Sequence, residues 1–129
     1  MSKKATNAYG KMKGKRRDIK IKTADYTMQE HIDEGAVFSN KGATSAVQIQ
    51  LLASQPGKSV TLEVDAACPF RAHPATVDST GEKVSASAGT LLAAGKYVTC
   101  STVGGRITLV CEKKGEWKAK DPVASWVSE

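Results

Sequence analysis

The chain has 129 residues, 40% hydrophobic and only 5% aromatic, which fits one domain with a modest core of Val, Ile, Leu and Ala. Its three cysteines, Cys68, Cys100 and Cys111, are odd in number and lack C-x-x-C spacing, which argues against both a complete intrachain disulfide framework and a zinc site. The net charge of +6 is unevenly placed: residues 1–22 hold nine basic side chains against Asp18 alone, a net of +8, and the rest of the chain is at −2.

The sequence therefore divides into a basic N-terminal arm, residues 1–22, and a near-neutral domain, residues 23–129. The arm has scarcely any apolar residue before Ile19, so alone it cannot bury enough surface to offset the entropy of ordering. It is expected to stay extended or disordered until something binds it. Its dense cluster Lys11, Lys13, Lys15, Arg16 and Arg17, interleaved with Gly10 and Gly14, suits an acidic surface or nucleic acid; the alternative is a solvated tail that aids solubility. No apolar h-region follows this basic start, so an intracellular origin is expected, and no run approaches the length of a membrane span.

From Asp18 the pattern changes. Ile19-Lys20-Ile21-Lys22 alternates as an edge strand would, with lysines that discourage uncontrolled pairing. Thr27-Met28-Gln29-Glu30 has the form of a capping box, and Gly35 limits any helix begun there to about one turn. His31 and the acidic group Asp25, Glu30, Asp33 and Glu34 are expected to be solvated. Residues 36–38 read as a short strand ended by Ser39-Asn40-Lys41-Gly42.

Two alternating runs come next, Val47, Ile49 and Leu51 in one and Val60, Leu62 and Val64 in the other. With Pro56-Gly57 between them they predict a hairpin. Cys68 to Ala72 alternates again, and Pro69 predicts an edge or a bulge there. Between Pro74 and Ala94 the small, polar composition predicts surface loops around one weak strand near Val84, with Leu91 and Leu92 tucked back. A strand over 96–101 is expected to pair across Gly104-Gly105 with Arg106 to Cys111. Lys113-Lys114-Gly115 then turns the chain into Glu116-Trp117-Lys118, completing a β-meander. The cysteines fall in strand-like runs and read as buried thiols. Phe38, Trp117 and Trp126 are expected in the core or at a subunit contact, and the tryptophans would be the candidates for any carbohydrate site.

Catalytic chemistry finds no support in these residues. The two histidines, His31 and His73, lie in unrelated contexts, and no G-x-S-x-G, H-E-x-x-H, phosphate-binding glycine loop or metal-spaced acidic cluster occurs. The expectation is a binding or structural protein with no enzyme activity, no cofactor and no metal.

The order G-A-V-F-S-N-K-G-A-T (35–44), an alternating strand, P-G-K (56–58), a further strand, A-A-G-K-Y (93–97), G-G-R-I-T-L-V-C (104–111) and G-E-W (115–117) resembles a small β domain of tailed bacteriophages. That module occurs in head decoration, or cement, proteins and in fibre-type virion proteins. The likeness covers about residues 24–128; Leu51-Leu52-Ala53, where a Leu-Pro pair is common, and the long basic arm depart from it. The resemblance implies an all-β fold: a compact antiparallel β-sandwich or barrel-like domain with a short helical turn and an extended arm. It also implies a homotrimer, made in the host cytoplasm, on the outer surface of an assembled head, with the major capsid protein as partner. Attachment would fall to Lys11, Lys13, Lys15, Arg16 and Arg17, with Ile19 and Ile21 adding a strand to a neighbouring sheet. The alternatives are a tail or head fibre module contacting a host receptor, and a nucleic-acid-binding protein using the arm on phosphates.

Overall fold

The computed structural model describes residues 19–75, 83–87, 90–91 and 96–128. Among them are twelve strands and no helix. They are β1 (Ile19–Ile21), β2 (Tyr26–Thr27), β3 (Val37–Ser39), β4 (Val47–Gln50), β5 (Ser59–Glu63) and β6 (Phe70–His73), then β7 (Lys83–Ser87), β8 (Thr90–Leu91), β9 (Val98–Cys100), β10 (Arg106–Lys113), β11 (Glu116–Val123) and β12 (Val127–Ser128). The protein is all-β, as expected. A seven-stranded sheet runs β1-β3-β5-β10-β11-β7-β8, and a five-stranded sheet runs β12-β9-β6-β4-β2.

Both sheets are mixed, which corrects the antiparallel expectation. β1, β3 and β5 are mutually parallel, as are β2, β4 and β6, while β10 is antiparallel to both β5 and β11. The cause is that the chain keeps crossing between sheets. The hairpin expected from 47–51 and 60–64 does not form: β4 lies between β2 and β6, and β5 between β3 and β10. The Pro56-Gly57 turn, with Gly57 at φ 98°, carries the chain from one sheet to the other. Val47 and Ile49 nevertheless share one hydrophobic cluster with Val60 and Leu62. Alternation requires each strand to bury one face, and a crossing satisfies that as well as a hairpin does.

The same correction applies at Gly104-Gly105. β9 pairs with β6 and β12, not with β10. The turn instead closes the end of β5: Gly104 donates its amide to the Val64 carbonyl at 2.9 Å, and the Val64 amide donates to the Gly105 carbonyl at 2.8 Å. Of the meander, the β10–β11 hairpin stands, turned at Gly115 with φ 92°. β6 is a central strand and not an edge, because Pro69 sits one residue before it, where its missing donor costs no ladder bond, and its carbonyl accepts the Val47 amide at 2.9 Å. β7 takes in Ser85 to Ser87, part of the stretch expected to loop. The remaining loop residues, 76–82, 88–89 and 92–95, lie outside the described residues, Leu92 among them.

The core draws on both sheets through Phe38, Val47, Ile49, Val60, Leu62, Phe70, Ile107, Leu109, Trp117 and Trp126. The aromatic trio expected in the core or at a contact is in the core. Both indoles are buried, so neither offers a face for a sugar to stack on; Trp126 donates its ring N–H to the Val123 carbonyl at 3.0 Å. Cys100 and Cys111 are buried thiols, whereas Cys68 is half-buried and precedes β6.

Candidate attachment edge

β1 closes one side of the seven-stranded sheet, and its side chains point the opposite way from what their polarity suggests. Lys20 is in register with Phe38 and Leu62, both fully buried, so it faces the core side; Ile19 and Ile21 face outward and are 61% and 56% exposed. Polar groups around a carboxylate explain the inversion. The Lys20 ammonium meets Asp33 Oδ1 at 2.5 Å and the Ile32 carbonyl at 3.1 Å. Lys22 places its ammonium 3.6 Å from the centroid of the Tyr26 ring.

Asp33 was expected to be solvated and is fully buried instead. Its carboxylate accepts hydrogen bonds from Lys20, from the Tyr26 hydroxyl at 2.6 Å and from the Gln29 amide at 2.8 Å. Burial alone would raise its pKa, but the bonds from Lys20, Tyr26 and Gln29, with the Lys20 charge, outweigh burial and hold it below the ordinary aspartate value. The same contact, helped by burial, pushes the Tyr26 phenol up to about 12. Glu30 does not close a capping box on Thr27, which lies in β2; its carboxylate accepts from Lys58 at 3.0 Å. The 29–35 segment is a hydrogen-bonded turn, with the Asp33 amide donating to the Gln29 carbonyl at 3.0 Å and His31 exposed at φ 65°.

Among the described residues, nothing pairs with the outer edge of β1. Lys22 donates its amide to the Ser39 carbonyl at 2.9 Å. In a parallel ladder alternate residues bond to the same neighbour, so the backbone groups of Ile19 and Ile21 point away from β3. Beside them is a groove of about 470 Å³ lined by Ile19, Ile21, Ser39, Lys41, Glu63 and Asp65, at the C-terminal ends of the parallel strands. Asn40 shapes its rim. This fully buried side chain accepts the amides of Asp65 and Ala66 at 2.7 and 3.0 Å and donates to the carbonyls of Ala66 and Cys68. Ser39 donates its hydroxyl to Asp65, and Glu63 faces Arg106 at 3.6 Å.

Of the expected attachment residues, Ile19 and Ile21 thus lie together on this edge, already paired with β3 on one side. Lys11, Lys13, Lys15, Arg16 and Arg17 lie outside the described residues. Sequence reasoning missed Asp33 and Asn40. The turn-forming Ser39-Asn40 pair gave a local hint of the second, but nothing local marks an aspartate whose partners come from two other strands. Among the described residues no group of three or more His, Cys, Asp or Glu could hold a metal ion, and no helix is long and apolar enough to cross a membrane. No protein-family model matches the chain, and no curated protein matches it.

Proposed function

We propose that this chain is a structural protein of a bacteriophage virion, a capsid decoration protein that binds the outer head surface and stabilises it against the pressure of packaged DNA. The observation that carries the reading is the inverted edge strand: a β edge left open by the described residues, with two outward isoleucines, directly continuous with residues 1–18, which carry a net charge of +6. Such an edge offers main-chain hydrogen bonds and apolar anchors to an extended segment of a major capsid protein. The arm, with Lys11, Lys13, Lys15, Arg16 and Arg17, supplies charge for an acidic capsid seam and wraps additional area at an ordering cost.

In this reading the two sheets pack face to face as a sandwich, their inward faces meeting in the shared hydrophobic cluster. The domain acts as a homotrimer over local three-fold axes of the head, where three linked attachments multiply weak single contacts. The role is mechanical: it requires no catalysis and no cofactor.

The test is co-sedimentation with purified undecorated heads of tailed phage at physiological salt. Full-length protein is expected to pellet with heads, and a variant lacking residues 2–17 to lose most of that retention. Undiminished retention of the truncated variant overturns the role of the arm. Steeply salt-dependent binding to plain duplex DNA without retention on heads overturns the decoration reading in favour of nucleic-acid binding. Particle density on the tail instead of over the head lattice overturns it in favour of a fibre module.

A further inference from the structure

We infer that Asp33 is the latch of a strap: the seating of Lys20 on its carboxylate holds β1 in the sheet and thereby fixes where, and in which direction, the basic arm leaves the domain. The inference deepens the attachment reading, and its bearing on heads rests on that reading.

The geometry makes β1 unusually dependent on this one contact. It is three residues long and lies at the edge of the sheet, and among the described residues its one strand partner is β3. Its apolar side chains contribute little to its seating, because both point outward and are more than half exposed. What β1 presents to the body of the protein is the Lys20 ammonium, with Lys22 over the Tyr26 ring just beyond. The receptor for that ammonium is prepared by other parts of the chain. Tyr26 on β2, in the opposite sheet, and the Gln29 amide in the turn orient the buried carboxylate and satisfy its second oxygen. Tyr26 is itself held against Phe38 of β3, with ring centroids 5.7 Å apart.

The latch therefore joins β1, the second sheet and the 29–35 turn at a single carboxylate, with Tyr26 backed by Phe38 of β3. The other charged groups of the turn do not compete for Lys20. Glu30 is engaged by Lys58, Glu34 accepts the His31 amide at 3.4 Å, and both carboxylates are exposed with His31. With Lys20 seated, β1 presents Ile19 and Ile21 outward and the arm starts from a fixed point. With Lys20 unseated, β1 keeps only its few bonds to β3, so the arm is rooted some residues later, at Thr23 or beyond, and the isoleucine edge is lost. A segment that pulls on the arm is resisted at Asp33.

The readout is amide exchange by NMR on the full chain at the Lys22 amide, which donates to Ser39. The amides of Val64 and Cys111, bonded to Gly105 and Lys58, serve as internal controls. Asp33→Asn and Lys20→Met are each expected to raise exchange at Lys22 at least tenfold while the controls stay within twofold. The double variant is expected to match the stronger single one, because both changes break the same contact. Lys20→Met leaves Asp33 its Tyr26 and Gln29 donors, so it decides the matter should Asp33→Asn unfold. Unchanged exchange at Lys22 in Lys20→Met, or additive effects in a folded double variant, overturns the latch. Retention on heads separates the two ideas. If wild-type protein does not bind heads, the attachment reading fails while the exchange data still judge the latch. If wild type binds and a folded, unlatched variant binds equally well, the arm-positioning role is overturned.

Discussion

β1 and β10 belong to the same sheet and obey the same period-2 alternation, yet they assign its two faces by opposite rules. In β10 the apolar set Ile107, Leu109 and Cys111 is buried, and Arg106 and Glu112 are in solvent. In β1 the apolar pair is in solvent and the lysine turns in. β10 is flanked by β5 and β11, so its inward face meets other apolar side chains and the hydrophobic effect decides. β1 at the margin meets a carboxylate already buried by other elements. An unpaired buried charge is far more costly than two exposed isoleucines, so pairing decides. Alternation reports that a strand has two unlike faces; what the neighbouring element presents determines which one goes in.

The comparison is broken most forcefully at its apolar end. Trp117 on β11 is fully buried within the cluster that β10 lines. Trp117→Ala is expected to cost about 3–5 kcal/mol in urea unfolding, through lost burial and the cavity left behind. Among the described residues its indole N–H has no hydrogen-bond partner, so Trp117→Phe, which keeps an aromatic ring and discards that donor, should lose much less. If the two substitutions cost the same, the indole nitrogen matters in a way the geometry does not show.

Much of this core was legible in the sequence. The alternating runs around Val47, Val60 and Ile107 are strands with the predicted faces buried, and the Gly115 hairpin is where its turn residues place it. The strand partners were not legible. Val47–Gln50 and Ser59–Glu63 have the composition of a hairpin, and only the global solution, two sheets sharing a core, assigns them to different sheets. The candidate site was legible only in outline. Ile19 and Ile21 could be singled out as an edge, but their outward orientation depends on Asp33, which a charged stretch of sequence presents as one more solvated acid. Its burial depends on Lys20, Tyr26 and the Gln29 amide arriving together. Such tertiary convergence leaves no local period to read.

The charged end of the comparison can be sharpened by pH, on both sides of neutrality. The Asp33 carboxyl is held below the ordinary aspartate value, so its contribution to stability is present above about pH 4 and is lost as pH falls through the depressed folded value. Glu30 and Glu112, held low by hydrogen bonds from Lys58 and Lys120, add to the same acid limb. The Tyr26 phenol moves the other way, from 10.0 to about 12. Its contribution is complete below 10 and is lost as pH rises through the folded value. Thermal unfolding across pH should therefore show Asp33→Asn losing less stability on acidification than wild type, and Tyr26→Phe losing less on alkalinisation. An acid limb unchanged by Asp33→Asn would mean that the carboxylate is not the group whose protonation loosens the structure. The Lys20–Asp33 pair would then have to be worth little even though the carboxylate is buried.

The smallest effect on stability is expected at the isoleucines themselves, and there it is most informative. Ile19→Thr and Ile21→Thr keep the β-branched shape that suits a strand while removing apolar surface already in water. Each should change unfolding free energy by no more than about 0.5 kcal/mol, as for surface positions that bury little. The equivalent change at Ile107, fully buried on β10, should cost several times as much. If the outward pair is the anchor of an attachment edge, the same two substitutions should reduce retention on heads while leaving the melting temperature unchanged. A loss of stability at Ile19 or Ile21 comparable to that at Ile107 would show that these side chains are covered within the folded chain. The inversion of β1 would then be an internal packing solution, with no surface kept open for a partner.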